Sequence, residues 1–376
     1  MLVVFCAFGA MVGGFAGSFP VIMHSSGIGS LEFGIGTMMS MFADVCAMTA
    51  AGFLSRRYSN RAMLLLLLPC VGLAGLAFMT SASATAFYLA NIAYGLAMGG
   101  TDIFMNGEGS NIEGDLKRPV FSTFHGALSL SLSVFAIIGS FVSTLASPWM
   151  TSLLQIAFLA FAWECVRRQV PTRMTPRSSG KTPTLTNKFP LAVIGVIAGI
   201  CFATELSALI WSSQLLNEQA PRLAAIAGLG AAFFGLCNAS IRMNGDRLRE
   251  KFGDKPALIF SIAIAMSGFG LLGLSTSFAM SVFAFAIVGL GAALQMPCSY
   301  ALAASYSNGN RVAALSFVGS IAGTPRVVAP MIFGWIASNH GIGSAFGLLS
   351  AALAVALLFA FSLTRTLFNL QPQEKT

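Results

Sequence analysis

Long apolar runs, each broken by a few polar residues, follow one another along almost the whole chain. Read as helices, they fall at 2–23, 31–54, 62–80, 85–108, 119–146, 149–167, 190–213, 222–243, 256–275, 278–304, 312–337 and 343–365. A helix of about 20 apolar residues crosses the hydrocarbon core of a bilayer, so the pattern predicts an all-α membrane protein of twelve transmembrane helices. The breaks are short, as at Ser81–Ala84, Ser275–Ser277 and Asn339–Gly343, leaving little room for a catalytic domain outside the membrane. The chain also registers on itself at an offset of 194 residues: Gly95-Leu96 falls on Gly289-Leu290, Ser81 and Ser83 on Ser275 and Ser277, and Ser122 on Ser316. Two pseudo-symmetric six-helix halves are expected, 1–168 and 190–376, joined by a polar, basic, proline-containing cytoplasmic linker at 169–189. Such repeats are how many secondary transporters are built, with the substrate between the halves near the midplane.

Composition agrees with burial in lipid: 56% of residues are hydrophobic and 9% charged. The formal net charge of +8 invites a nucleic-acid reading, but its placement argues otherwise, since 19 of the 21 Lys and Arg fall in segments on one side of the predicted spans. Only Arg222 lies on the other side, and Arg326 sits inside a span. Basic residues concentrate on the cytoplasmic side of membrane proteins, so both termini are expected inside the cell and no nucleic-acid partner is expected. The first run begins at Met1 without the short h-region and cleavage site of a signal peptide, an abrupt start that fits a shifted start codon omitting a short tail. The seven cysteines are scattered through apolar spans with no paired spacing, so neither a disulfide framework nor a metal site is expected. In the linker, Ser178-Ser179-Gly180-Lys181-Thr182 looks like the end of a phosphate-binding loop, but Thr175 stands where the first glycine belongs. No nucleotide and no other cofactor is therefore expected. Three histidines without His-Glu-x-x-His spacing also disfavour an intramembrane zinc hydrolase.

A charge in the bilayer interior costs about 2.5–3.5 kcal/mol even on lenient insertion scales, so each one asks for a reason. Asp44, Asp102, His125, Glu205 and Arg326 lie in spans two, four, five, seven and eleven, with Glu108 near a cytoplasmic helix end. Residues three or four apart share a helix face. On that spacing Thr37, Ser40 and Asp44 align in span two, and Asn91, Gly95, Met98, Asp102 and Asn106 in span four. Ser122, His125, Ser129 and Ser133 align in span five, Cys201, Glu205 and Ser212 with Trp211 adjacent in span seven, and Gly319, Gly323, Arg326 and Pro330 in span eleven. These stripes read as walls of a wet cavity. Arg326 has two readings, an ion pair with Asp44 or Glu205, or a contact to substrate. Pro325 and Pro330 weaken the helix around it and free carbonyls. Asp102 reads either as a proton carrier or as an anchor for the loop that follows it.

The loop between spans eight and nine, Gly245-Asp246-Arg247-Leu248-Arg249-Glu250-Lys251-Phe252-Gly253-Asp254-Lys255, resembles the loop signature of the major facilitator superfamily. The first-half copy around Arg57 and Arg61 departs from it, with Arg56 in place of the acid and Ser59 in place of the second glycine. The tract from Gly99-Gly100-Thr101-Asp102 through Asn106, Glu113 and Arg118 to His125-Gly126 and Ser129 is similar to a bacterial inner-membrane branch related to the fucose and sugar permeases. The resemblance implies a monomeric transporter working by alternating access, in which spans three, six, nine and twelve form an outer scaffold. None of the mid-span charges falls in those four. The expected function is proton-coupled uptake of a sugar-like or anionic metabolite. Arg326, Glu205, Asn106, Trp211 and Asn91 are the candidates for substrate binding or gating, and Asp102, Glu205, His125 and Asp44 for carrying the proton. Arg57, Arg61, Asp246, Arg247, Glu250, Lys251, Gly253, Glu113 and Arg118 are the candidates for the cytoplasmic gate. An exporter of amphipathic compounds is the alternative within transport, fitting 32 Phe and 18 Met. A membrane sensor that binds without moving its ligand is the alternative outside it.

Overall fold

The structure, a computed structural model, describes residues 1–55, 57–116, 120–169, 188–307 and 311–368, and statements of absence below refer to these residues. Arg118 and nearly all of the linker, with its Ser178–Thr182 motif, lie outside them. The first half is built of α1 (Leu2–Ser26), α2 (Ser30–Leu54), α3 (Asn60–Met79), α4 (Ala84–Leu116), α5 (Phe121–Leu145) and α6 (Pro148–Arg168). The second half opens with α7 (Lys188–Gln219), a 3-10 turn (Pro221–Ile226), α8 (Leu229–Met243), α9 (Gly245–Phe252) and α10 (Asp254–Leu274). It closes with α11 (Phe278–Ala292), α12 (Gln295–Ser305), α13 (Arg311–His340) and α14 (Ile342–Phe368).

Local chemistry sets several of these boundaries. Gly27, at φ +65°, turns the chain out of α1 in the left-handed region where a side chain is costly. Ser59 and Ser277 accept from the N–H groups of Ala62 and Met280 and so cap α3 and α11. Three expectations need correcting. Span four continues eight residues past its expected end, because a helix satisfies its own backbone whether or not its side chains are apolar. It is also too polar to join the eleven stretches that are long and apolar enough to cross a membrane. The loop after span eight contains the short helix α9. Span ten is two helices with a break at Ala293 and Leu294. Pro297 explains the break, since it has no N–H to offer the carbonyl of Ala293 four residues back.

Within each half the helices wrap an apolar core. In the first, α1 packs along α5, α2 along α4, and α3 against α4 and α6; in the second, α7 packs along α13, α8 along α11, and α10 against α11 and α14. The halves meet through α2 with α13, α5 with α8, and α1 with α7. Pro69 in α3 leaves the Leu65 carbonyl without its helical donor, and the Trp163 indole on α6 donates to that carbonyl at 2.9 Å. A part-buried carbonyl orphaned by proline thus takes a side-chain donor, in keeping with the cost of leaving it unpaired.

The two ends of the molecule are packed differently. At the face away from the basic loops, Gly34 of α2 and Gly334 of α13 bring two backbones together. A Cβ on Gly334 would strike the Ser30 carbonyl, and one on Gly34 the Pro330 carbonyl. Behind this contact Trp211 stacks on Phe333 at 4.7 Å between centroids and meets Phe33 edge-on at 5.0 Å, joining α2, α7 and α13 in a buried aromatic layer. Toward the basic loops the same helix α13 is loose, and a Cβ on Gly319 or Gly323 would meet nothing within 4 Å.

Candidate functional site

The polar groups that the sequence scatters over five spans converge below the aromatic layer. Arg326 of α13 reaches across to the other half and makes a salt bridge to Asp44 of α2. The Asp44 side chain is 8% exposed and that of Arg326 20%, so the pair is largely withdrawn from solvent. Arg326 also lies 4.7 Å from the Phe202 ring centroid and 3.7 Å from the Met48 sulfur. Its Nε is buried with no hydrogen-bond partner, leaving one donor of the guanidinium fork unused. Pro330 follows Arg326 by four residues and withholds the N–H that the Arg326 carbonyl would otherwise accept. Asp44 is held at the seam by α4, because Gly99 has no side chain where a Cβ would run into the Asp44 backbone and carboxylate.

A second polar chain runs through the first half. Asn106 donates from Nδ2 to the Asp102 carboxylate at 2.8 Å and to its carbonyl at 2.9 Å. The amide oxygen is therefore the atom that faces His125, 3.1 Å from its Nε2. An oxygen can only accept, so His125 Nε2 carries a proton in this arrangement. Phe5 of α1 sets the ring from the side, edge-on at 5.3 Å. Arg326 lies within electrostatic range of Asp102, and Arg242 within range of His125.

Glu205 does not pair with Arg326. It accepts from Arg242 Nη2 of α8 at 2.9 Å, and the same guanidinium reaches the Ala293 carbonyl at 3.4 Å through Nε. This correction has a simple cause: α8 brings a cation to the face of α7 that carries Glu205, while Arg326 points across the seam to α2. The sequence counted Arg242 among the basic loop residues; its place one residue from the end of an apolar run was the available signal.

Other candidates separate from this centre. Trp211 lies wholly buried in the aromatic layer with its indole N–H unpartnered. Asn91 is buried and donates back to the Phe87 carbonyl of its own helix at 2.9 Å. Not every predicted stripe faces a cavity. Gly95 packs against the Ser40 carbonyl of α2, and Ser129 and Ser133 meet Gly235 of α8 across the seam. At the basic face Arg61 caps the end of α6 by donating to the Val166 and Arg167 carbonyls at 3.1 and 2.6 Å. Glu113 accepts from the Val120 N–H at 2.9 Å, closing the turn into α5. In α9, Arg249 pairs with Asp254 at 2.7 Å and Asp246 at 3.3 Å, while Arg247, Glu250 and Lys251 point into solvent and Gly253, at φ +82°, ends the helix. Arg57 is exposed.

The arrangement has no nucleophile paired with a base; it has charges shared between two helical halves. Comparison with known proteins agrees. Residues 192–375 match the Major Facilitator Superfamily model. An uncharacterised MFS-type transporter of Yersinia pestis is 26% identical over 357 residues, covering 91% of this chain and 87% of that one. Two solved structures share the fold: a nucleoside transporter, NupG (TM-score 0.80, 10% identity, 96% and 98% coverage), and a D-xylose–proton symporter (TM-score 0.75, 15% identity, 96% of each chain). With its all-helical architecture, its multi-pass apolar spans and these relatives, the chain is similar to the transporters of the major facilitator superfamily, whose model its second half matches.

Proposed function

We propose that the protein moves a small anionic or sugar-like metabolite by alternating access, coupled to protons, and that Arg326 holds the substrate. The halves, 1–168 and 190–376, rock about the seam, with the linker and both termini on the cytoplasmic side of a bacterial inner membrane and a monomer as the working unit. The observation that carries this reading is the Asp44–Arg326 salt bridge, formed between halves and set below a sealed aromatic layer. A substrate carboxylate or hydroxyl competes with Asp44 for the guanidinium. Once displaced, Asp44 is a buried acid without a cation, and desolvation favours its protonated form. One proton then enters with each substrate. Asp102, linked to His125 through Asn106, is the second acid available to this exchange.

Purified protein in proteoliposomes, screened against sugars, organic acids and nucleosides, tests the reading. With a responding substrate, Asp44→Asn should lose uptake driven by a pH gradient and keep substrate exchange, and Arg326→Ala should lose both. Driven uptake unchanged in Asp44→Asn and Asp102→Asn would sink proton coupling at these acids. The aromatic layer and Phe202 beside Arg326 favour, as a second reading, export of amphipathic anions; flux measured in inverted vesicles separates the two.

A further inference from the structure

We propose that Arg242 is a positioning residue that latches a hinge in the tenth span, and that span ten bends at Ala293–Leu294 when the halves exchange faces. This goes beyond the transport function and rests on the alternating-access reading above. Three observations meet at one point. Pro297 cannot donate to the Ala293 carbonyl, and the helix breaks there, with Leu294 at φ −101°, ψ −6° between α11 and α12. Arg242 Nε, on the neighbouring α8, approaches that carbonyl at 3.4 Å while its Nη2 holds Glu205 of α7 at 2.9 Å. Gly245, the first residue of the loop helix α9, seats on the break, and a Cβ there would come within 2.8 Å of Leu294 Cδ2.

The chain uses a neutral donor at another staple of this kind, Trp163 on the Leu65 carbonyl, where neither α3 nor α6 makes the seam contacts described above. At the tenth span the donor is a guanidinium shared with a carboxylate. A forked, charged donor ties three helices through one side chain, and losing either acceptor loosens the other contact. Because α12 packs on α7, α10 and α13, a change of angle at the break moves the basic end of the second half. The loop helix seated on Leu294 moves with it. Arg242 therefore holds the arrangement seen here, closed at the aromatic layer and loose around Gly319 and Gly323.

The test needs no substrate. Amide exchange across residues 290–300 reports the hinge, and thiol labelling of Gly323→Cys, read at that residue by mass spectrometry, reports opening at the basic face. Arg242→Gln should raise exchange at the break about ten-fold and lower labelling at 323 about three-fold, as the population shifts away from this state. Arg242→Lys, which keeps the charge opposite Glu205 without the fork, should still raise exchange. Pro297→Ala restores the missing helical N–H, so it should lower exchange by itself and shrink the effect of Arg242→Gln to less than about two-fold, a non-additivity expected of groups sharing one acceptor. Unchanged exchange and labelling in Arg242→Gln, or an effect of equal size with and without Pro297→Ala, overturns the latch. Because Pro297→Ala adds a backbone bond, it keeps the proposal falsifiable if Arg242→Gln fails to fold. Labelling that behaves as stated in a protein that moves no solute supports the latch and sinks the transport reading alone.

Discussion

The fourth and tenth spans occupy equivalent places in the two halves, and they solve the same position differently. At the 194-residue offset Gly99-Gly100 corresponds to Ala293-Leu294, and Ile103 to Pro297. Ile103 has an N–H, so α4 runs unbroken, and Gly99 lets α2 approach closely enough to set Asp44 at the seam. Pro297 has none, so the tenth span breaks and Arg242 fills the vacancy while binding Glu205. The same asymmetry governs the charges. Asp44 finds its cation in the opposite half, whereas Glu205 finds one in its own. At the same offset Asp44 corresponds to Asn238, a buried amide with no charge to exchange. Only the Asp44–Arg326 pair is broken by separating the halves, and that makes it the stronger candidate for coupling.

Removing Arg326 should have the largest effect. Arg326→Ala strands Asp44 in a site that is 8% exposed and should cost about 3–5 kcal/mol. Asp44→Asn in the same chain should recover most of the loss, as thermal melting in detergent will show. If Arg326→Ala melts like the parent, the cross-half pair contributes no stability. Arg242→Gln comes next, at about 1–3 kcal/mol, because Glu205 is 15% exposed and water compensates it in part. A cost equal to that of Arg326→Ala would erase the distinction between the two pairs. Gly334→Ala should then cost about 1–3 kcal/mol by forcing a Cβ into the Ser30 carbonyl, with Gly323→Ala on the same helix within about 0.5 kcal/mol of neutral. Equal melting temperatures for the two glycine variants would mean that the sealed and loose ends of α13 are packed alike. Among the variants expected to destabilise, Trp163→Phe follows, at about 1 kcal/mol for one lost hydrogen bond to the Leu65 carbonyl.

Much of the site was legible as a list and little of it as a set of partners. The cost of an intramembrane charge pointed to Asp44, Asp102, His125, Glu205 and Arg326, and the structure places Asp44 with Arg326 and Asp102 near His125 through Asn106. The cost of a charge alone leaves Arg326 between Asp44 and Glu205. Helical spacing puts Gly95, Ser129 and Ser133 on polar stripes that would line a wet cavity, where the structure uses them as close contacts between helices. Helical spacing says which residues share a face; it carries no information about which neighbour that face meets.

Length, apolarity and the repeat by themselves determined that this protein spans a membrane as paired sets of helices, because apolar runs of about 20 residues can satisfy their backbone within themselves in lipid only as helices. They also determined which residues are too costly to sit there without a purpose. Only the tertiary structure decided that Arg326 answers Asp44 across the seam, that Arg242 answers both Glu205 and the Ala293 carbonyl, and that aromatic rings pack one end of α13 while Gly319 and Gly323 meet no neighbour toward the other. Those are relations between faces of helices distant in sequence, and they exist only once packing has set the helices side by side.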